Sequence, residues 1–132
     1  MQILQPPSWP RPSGYANGMA TSGKLVFVSG QIGWDEKQTF PGKDFIAQVR
    51  LALSNTLAVL EQAGAGAEHI VRMTWFITDK QEYLASLSAM GQVYREIMGK
   101  HFPTMSMVQV LALMEDEAKV EIETTAVIPD SG

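Results

Sequence analysis

The chain contains no cysteine among its 132 residues. Disulfides, thiolate metal ligands and a cysteine nucleophile are therefore excluded. Histidine is almost as scarce. His69 and His101 are the only two, too few for a histidine-built metal centre, and no metal or other cofactor is expected. Basic charge is short as well: ten Lys and Arg stand against fourteen Asp and Glu, for a net charge of -4. Surfaces that grip nucleic acid carry a basic footprint, so nucleic acid is not an expected partner. Long apolar runs are missing too. None approaches the ~20 residues of a membrane-spanning helix, and no membrane association is expected. The opening segment Met1-Gln2-Ile3-Leu4-Gln5-Pro6-Pro7 has no basic stretch leading into an apolar one. It does not read as a secretory signal, and a cytoplasmic protein is the expectation.

What is present suits one domain over residues 1–132. Hydrophobic residues make up 45% and charged residues 18%, within the ordinary range for a globular domain of this size. Four of the seven prolines fall at positions 6, 7, 10 and 12. Proline lacks the amide hydrogen that ladders and helices need. Residues 1–14 thus read as a proline-rich N-terminal arm lying extended over the surface, with Trp9 as a candidate anchor. The interior shows no linker, repeat or low-complexity tract.

Local patterns set the order of elements. Leu25–Ser29 is β-branched and aromatic, which predicts a strand; Gly30 and Gly33 then permit a bend or bulge. From Asp44, apolar residues Ile46, Val49, Leu53, Leu57 and Leu60 recur at helical spacing, and Gly64 is a C-terminal stop. Ile70–Thr78 is the next strand. Thr78-Asp79-Lys80-Gln81 offers a capping box for a second helix, with Tyr83, Leu87, Met90, Tyr94 and Ile97 on one stripe and Gly99 and Pro103 at its end. Two strands follow, about Met105–Leu113 and Lys119–Ile128. Gly64-Ala65-Gly66-Ala67 follows a helix rather than a strand, the wrong context for a phosphate loop, and reads as a connection.

The result is an α+β chain with two helices on one face of a mixed sheet. Alternation places Met105, Met107, Gln109, Leu111 and Leu113 on one side of their strand, and Arg72, Thr74, Phe76 and Thr78 on one side of theirs. A sheet face mixing Met, Leu and Phe with Thr, Gln and Glu is too apolar to stay wet and too polar for an ordinary core. Oligomerisation that leaves clefts between subunits accounts for it. Glu121 and Glu123 lie two apart on the last strand and share a face; a carboxylate in a partly buried cleft can hold water and move a proton.

Four separated motifs occur in a fixed order: Val28-Ser29-Gly30-Gln31-Ile32, Val93-Tyr94, Phe102-Pro103-Thr104-Met105-Ser106 and Val120-Glu121-Ile122-Glu123. In these the chain resembles the Rid (YjgF-like) family of small imine and enamine deaminases, from about Tyr15 to Ile128. The resemblance implies a chorismate-mutase-like α+β fold and a homotrimer with intersubunit clefts that take a small-molecule ligand. It casts Glu121 as the group that positions the attacking water and Tyr15 as the tyrosine at the cleft edge. Ser29, Gly30 and Gln31 become the strand end whose backbone lines the cleft. Two positions depart from the family. Met105 stands where the family has an arginine that clamps the substrate carboxylate, and Gly91 stands where an asparagine is frequent. Arginine offers two charge-assisted hydrogen bonds, each contributing about 1.5–3 kcal/mol; a thioether offers none.

The expected function is therefore hydrolysis of an imine, enamine or related C–N compound, and not standard 2-imino acid deamination. Met105 and Met107 either contact the ligand as a soft, apolar floor or pack within the oligomer. A non-catalytic, small-ligand-binding trimer is the alternative. The ribonuclease activity ascribed to some relatives fits poorly with the acidic balance.

Overall fold

The computed structural model describes residues 1–130. A short hairpin-like pair comes first, β1 (Gln2–Leu4) against β2 (Gly18–Ala20). The main sheet is built from β3 (Gly23–Ile32), β4 (Ile70–Ile77), β5 (Thr104–Gln109) and β6 (Val120–Pro129), in the order β3-β6-β4-β5. Only β4 and β5 run parallel; the other neighbours are antiparallel. Three helices, α1 (Phe45–Glu61), α2 (Lys80–Ala85) and α3 (Leu87–Met98), complete an α+β fold. No helix among the described residues is long and apolar enough to cross a membrane.

The predicted α1 starts and stops where local chemistry demands. Asp44 caps it by accepting from the Ala47 amide at 2.9 Å, and Gly64 adopts a φ of 75° just beyond its end, the left-handed geometry that glycine supplies without strain. Its inner face, Val49, Ala52, Leu53 and Leu60, is fully buried against β3, β6 and α3. Gln48 shares that burial and would be destabilising if unpaired. Its side chain instead bonds the carbonyls of Gly42 and Glu117, both at 3.0 Å, and the Lys119 amide at 2.9 Å. This one residue ties α1 to the loop that feeds β6.

Four expectations are corrected. The second helix is two, broken at Ser86, whose hydroxyl bonds the Glu82 carbonyl at 2.7 Å; such back-bonding competes with the helical ladder. The N-cap of α2 is Asp79 rather than Thr78, because its carboxylate accepts from both the Gln81 and Glu82 amides. Leu87, set on the predicted apolar stripe, is half exposed. Finally, residues 5–14 form no ladder, but Trp9 is 57% exposed and anchors nothing. The arm is held by the β1–β2 pairing and by Gln5, which bonds the Trp9 carbonyl and the Asn17 amide.

Register decides which residues share a face. Met105 sits opposite Met73, and Met107 opposite Trp75. Met73 and Trp75 are buried under the helices, so both predicted methionines belong to the helix-covered side. They do not join Arg72, Thr74 and Phe76 as the alternation from separate strands implied. Leu111 and Leu113 lie beyond the end of β5, and Leu111 is fully exposed. The uncovered face instead carries Glu121, Glu123 and Thr125 of β6 across from Phe76, Thr74 and Arg72, with Phe27 of β3 72% exposed beside them.

Tyr94 links α3 to the chain entering β5. Its hydroxyl donates to the His101 carbonyl at 2.9 Å and its ring stacks on Phe102 at 5.6 Å. Burial pushes its phenol pKa far above the usual value. The unfolded chain ionises at the ordinary value of ~10, so this contribution to stability is complete below that pH and declines as pH rises above it. Tyr94→Phe is expected to cost about 1–2 kcal/mol at neutral pH by orphaning the carbonyl. It should also flatten the loss of stability above pH ~10. Urea melts across that range measure both effects.

Candidate functional site

A cavity of about 630 Å³ opens between α3, β5 and the arm. β5 is an edge strand, so Met105 and Met107 face the helices from the rim of the sheet and are only partly buried. Both line the cavity, as do Trp75 from β4 and the stacked pair Tyr94 and Phe102. Tyr15 reaches it because the arm docks beside β5. The Ala16 amide donates to the Pro103 carbonyl at 3.0 Å, and Ala16 bridges Thr104 in parallel. Tyr15 is 42% exposed and forms part of the rim. Trp75 is buried, yet its indole Nε1 has no hydrogen-bond partner among the described residues. From α3 the cavity receives Gly91 and Arg95. Arg95 was missed in the sequence because it falls off the helix's apolar stripe.

The remaining predicted residues form a second group. β3 is irregular between Val28 and Gln31, so Ser29 and Gly30 sit in a bulge facing β6. The Glu121 side chain lies directly on Gly30: a Cβ there would stand 2.6 Å from the Glu121 Cδ and closer still to Oε2. Only glycine leaves the carboxylate this place. The Gln31 side-chain amide donates to the Ser29 carbonyl at 3.2 Å, and Ser29 itself is exposed. Glu121 is partly buried, whereas Glu123 is exposed. The Trp34 ring packs on Phe40 at 5.6 Å.

Within one chain the two groups are apart. Glu121 lies on β6 and on the uncovered face, opposite Phe76. Met105 lies on β5, with β4 between them, and on the helix-covered face. Adjacent strands are about 4.8 Å apart, so the sheet itself separates the carboxylate from the cavity by two strand spacings and its own thickness. Among the described residues, no cluster of three or more His, Asp or Glu is placed to hold a metal ion.

Comparisons with known proteins follow the same outline. Residues 10–128 match the family model described as Endoribonuclease L-PSP. The chain is 34% identical over 131 residues to the RutC family protein slr0709 of Synechocystis, covering 98% of both chains. It is 36% identical over 105 residues to the 2-iminobutanoate/2-iminopropanoate deaminase of Salmonella typhimurium, covering 80% of each. The structure resembles that of YyfB, a Rid-family protein from Yersinia pestis, with a TM-score of 0.84 at 28% identity over 96% of this chain and 98% of that one. Matched along nearly its whole length in sequence and in fold, the chain belongs to the Rid (YjgF-like) family.

Proposed function

We propose that the chain works as a homotrimeric, cytoplasmic hydrolase of a small imine, enamine or related C–N compound, in clefts between subunits. One observation carries this reading: the carboxylate seated on Gly30 and the cavity beside Met105 occupy different faces of the sheet, two strands apart. A second copy that sets its β5 edge against the uncovered face brings its own cavity to the first copy's Glu121. The apolar exposure of Phe27 on that face supports such a contact. The deaminase name of the Salmonella relative supports the reaction class.

In this site Tyr15, Met105 and Met107 hold the substrate, and the backbone at Ser29, Gly30 and Gln31 lines the opposite wall. Glu121 accepts a proton from water as the oxygen attacks the carbon of the C=N bond. The carbinolamine then collapses, the C–N bond breaks, the proton passes to nitrogen, and a carbonyl compound and ammonia leave. The net change is addition of one water and release of one ammonia, with no redox step and no cofactor. Met105 offers no grip on a carboxylate, so in this reading the ligand either lacks a carboxylate or holds it elsewhere in the cavity, and 2-imino acids seated as the family arginine would seat them are poor substrates. RNA is not a partner.

A second reading, capture without catalysis, draws on the same methionine. Ammonia release from freshly generated imines and enamines, with and without a carboxylate, separates the two. Turnover is expected on at least one imine by a protein whose mass in light scattering is that of three chains. Absence of turnover on all of them, with a ligand still raising the melting temperature, selects the binding module. A monomer overturns the shared site.

A further inference from the structure

Gly91 lies inside α3, where glycine weakens a helix by about 1 kcal/mol relative to alanine. The guanidinium of Arg95, one turn on, occupies the space a side chain at position 91 would take. A Cβ on Gly91 would meet Arg95 Nη1 at 3.2 Å, Nη2 at 3.8 Å and Cζ at 3.9 Å. This follows from helical geometry, since side chains lean toward the N-terminus and residue i+4 covers residue i. The guanidinium thus rests on bare backbone at the cavity wall. Gly91 and Arg95 both line that cavity, as does Met105, and among the described residues Arg95 is the one charged side chain that does.

The charge is also unspent. Among the described residues Arg95 forms no ion pair: the neighbouring Glu96 is engaged by Arg50 at 3.0 Å, and Glu82 by Lys119 at 2.8 Å. Arg95 is exposed, and an unpaired guanidinium at the wall of a mainly apolar concavity can hold a planar anion through two parallel hydrogen bonds. We infer that Arg95 is a substrate-binding residue, gripping the carboxylate of an anionic carbonyl or imine compound from α3, and that Gly91 is the shelf that admits it. The cation lost at position 105 is supplied from the facing helix. The anion therefore sits on the other side of the cavity from the family arrangement. This deepens the proposed function and rests on its assignment of the cavity as the ligand site.

The test is binding, not turnover. The intact protein is titrated with 2-oxobutanoate, 4-oxopentanoate and the uncharged ketone 2-pentanone, and heats or melting shifts are followed. At least one keto acid should bind tenfold or more tighter than the ketone, since a hydrogen bond to a charged group is worth roughly 10–100-fold. Arg95→Met should remove that preference and leave the affinity for the ketone in place. Gly91→Asn, which improves helix propensity and so preserves the fold, should weaken the preference by crowding the guanidinium. Equal affinity of the native protein for acids and ketone overturns the inference, as does a preference that survives Arg95→Met. Failure of the two readings is distinguishable. An Arg95-dependent preference without turnover of any imine sinks the hydrolase and leaves the anion site standing. Glu121-dependent turnover with no anion preference does the reverse.

Discussion

Glu121→Gln is expected to lower kcat for imine hydrolysis by about 10²–10⁴-fold, the usual contribution of a positioned general base, with the melting temperature and the assembly unchanged. The amide has the size of the carboxylate and can still lie on Gly30, but it cannot accept the proton that water must lose as it attacks. The substitution breaks no ion pair, because Glu121 takes part in none among the described residues. A loss of rate therefore reports on proton transfer rather than on folding. Gly30→Ala provides the geometric counterpart. Its Cβ would take the space of the carboxylate, 2.6 Å from the present Cδ, so the acid must swing away while its charge is kept. Both variants should show the fall in kcat, measured by ammonia release from pre-formed imine under single-turnover conditions. Retention of more than a tenth of the native rate by Glu121→Gln would assign the base elsewhere.

The parts of this molecule legible in the sequence are those set by local chemistry. Asp44 before a helical stripe, Gly64 after it and the glycines that allow the β3 bulge each act over a few residues, and each lies where expected. Signals that depend on a partner elsewhere in the chain misled. Alternation along β5 says that Met105 and Met107 share a side, but not which side of the sheet that is. The parallel register with Met73 and Trp75 settles it, and nothing within five residues of Met105 encodes that pairing. The break at Ser86 was hidden for a related reason: the apolar spacing from Tyr83 to Ile97 fits one continuous helix. The competing bond from the Ser86 hydroxyl to the Glu82 carbonyl leaves no trace in hydrophobic periodicity. Gln48 and Arg95 illustrate a third blind spot. A polar residue within an apolar stripe, or a charged one beside it, is silent until the walls around it are known. One proves to be the clasp of the core and the other the charge in the cavity. The motif order from Val28 to Glu123 survived these errors because it fixes the family without needing any face to be assigned.

Met105→Arg should raise kcat/KM for 2-imino acids by about 10²-fold or more. Two charge-assisted hydrogen bonds at about 1.5–3 kcal/mol each set an upper range near 10²–10⁴-fold, and partial exposure of the position moves the expectation to the lower end. The backbone already carries residue 105 to the cavity, so an arginine there can run its aliphatic stem along the sheet beside Met73, its partner across the parallel pair, and keep its head among the lining groups. The variant also places a second guanidinium in a cavity that already holds Arg95, and two like charges without an anion between them repel. Met105→Arg alone should therefore melt below the native protein and recover when a keto acid is added, by more than the native protein gains from the same addition. Arg95→Met in the same chain should abolish the melting defect and keep the gain on 2-imino acids. That pairing would mean the two positions address one anion from opposite walls. A gain that requires both guanidinia would place them on different groups of the substrate, and no gain in either background would mean that position 105 does not face the ligand.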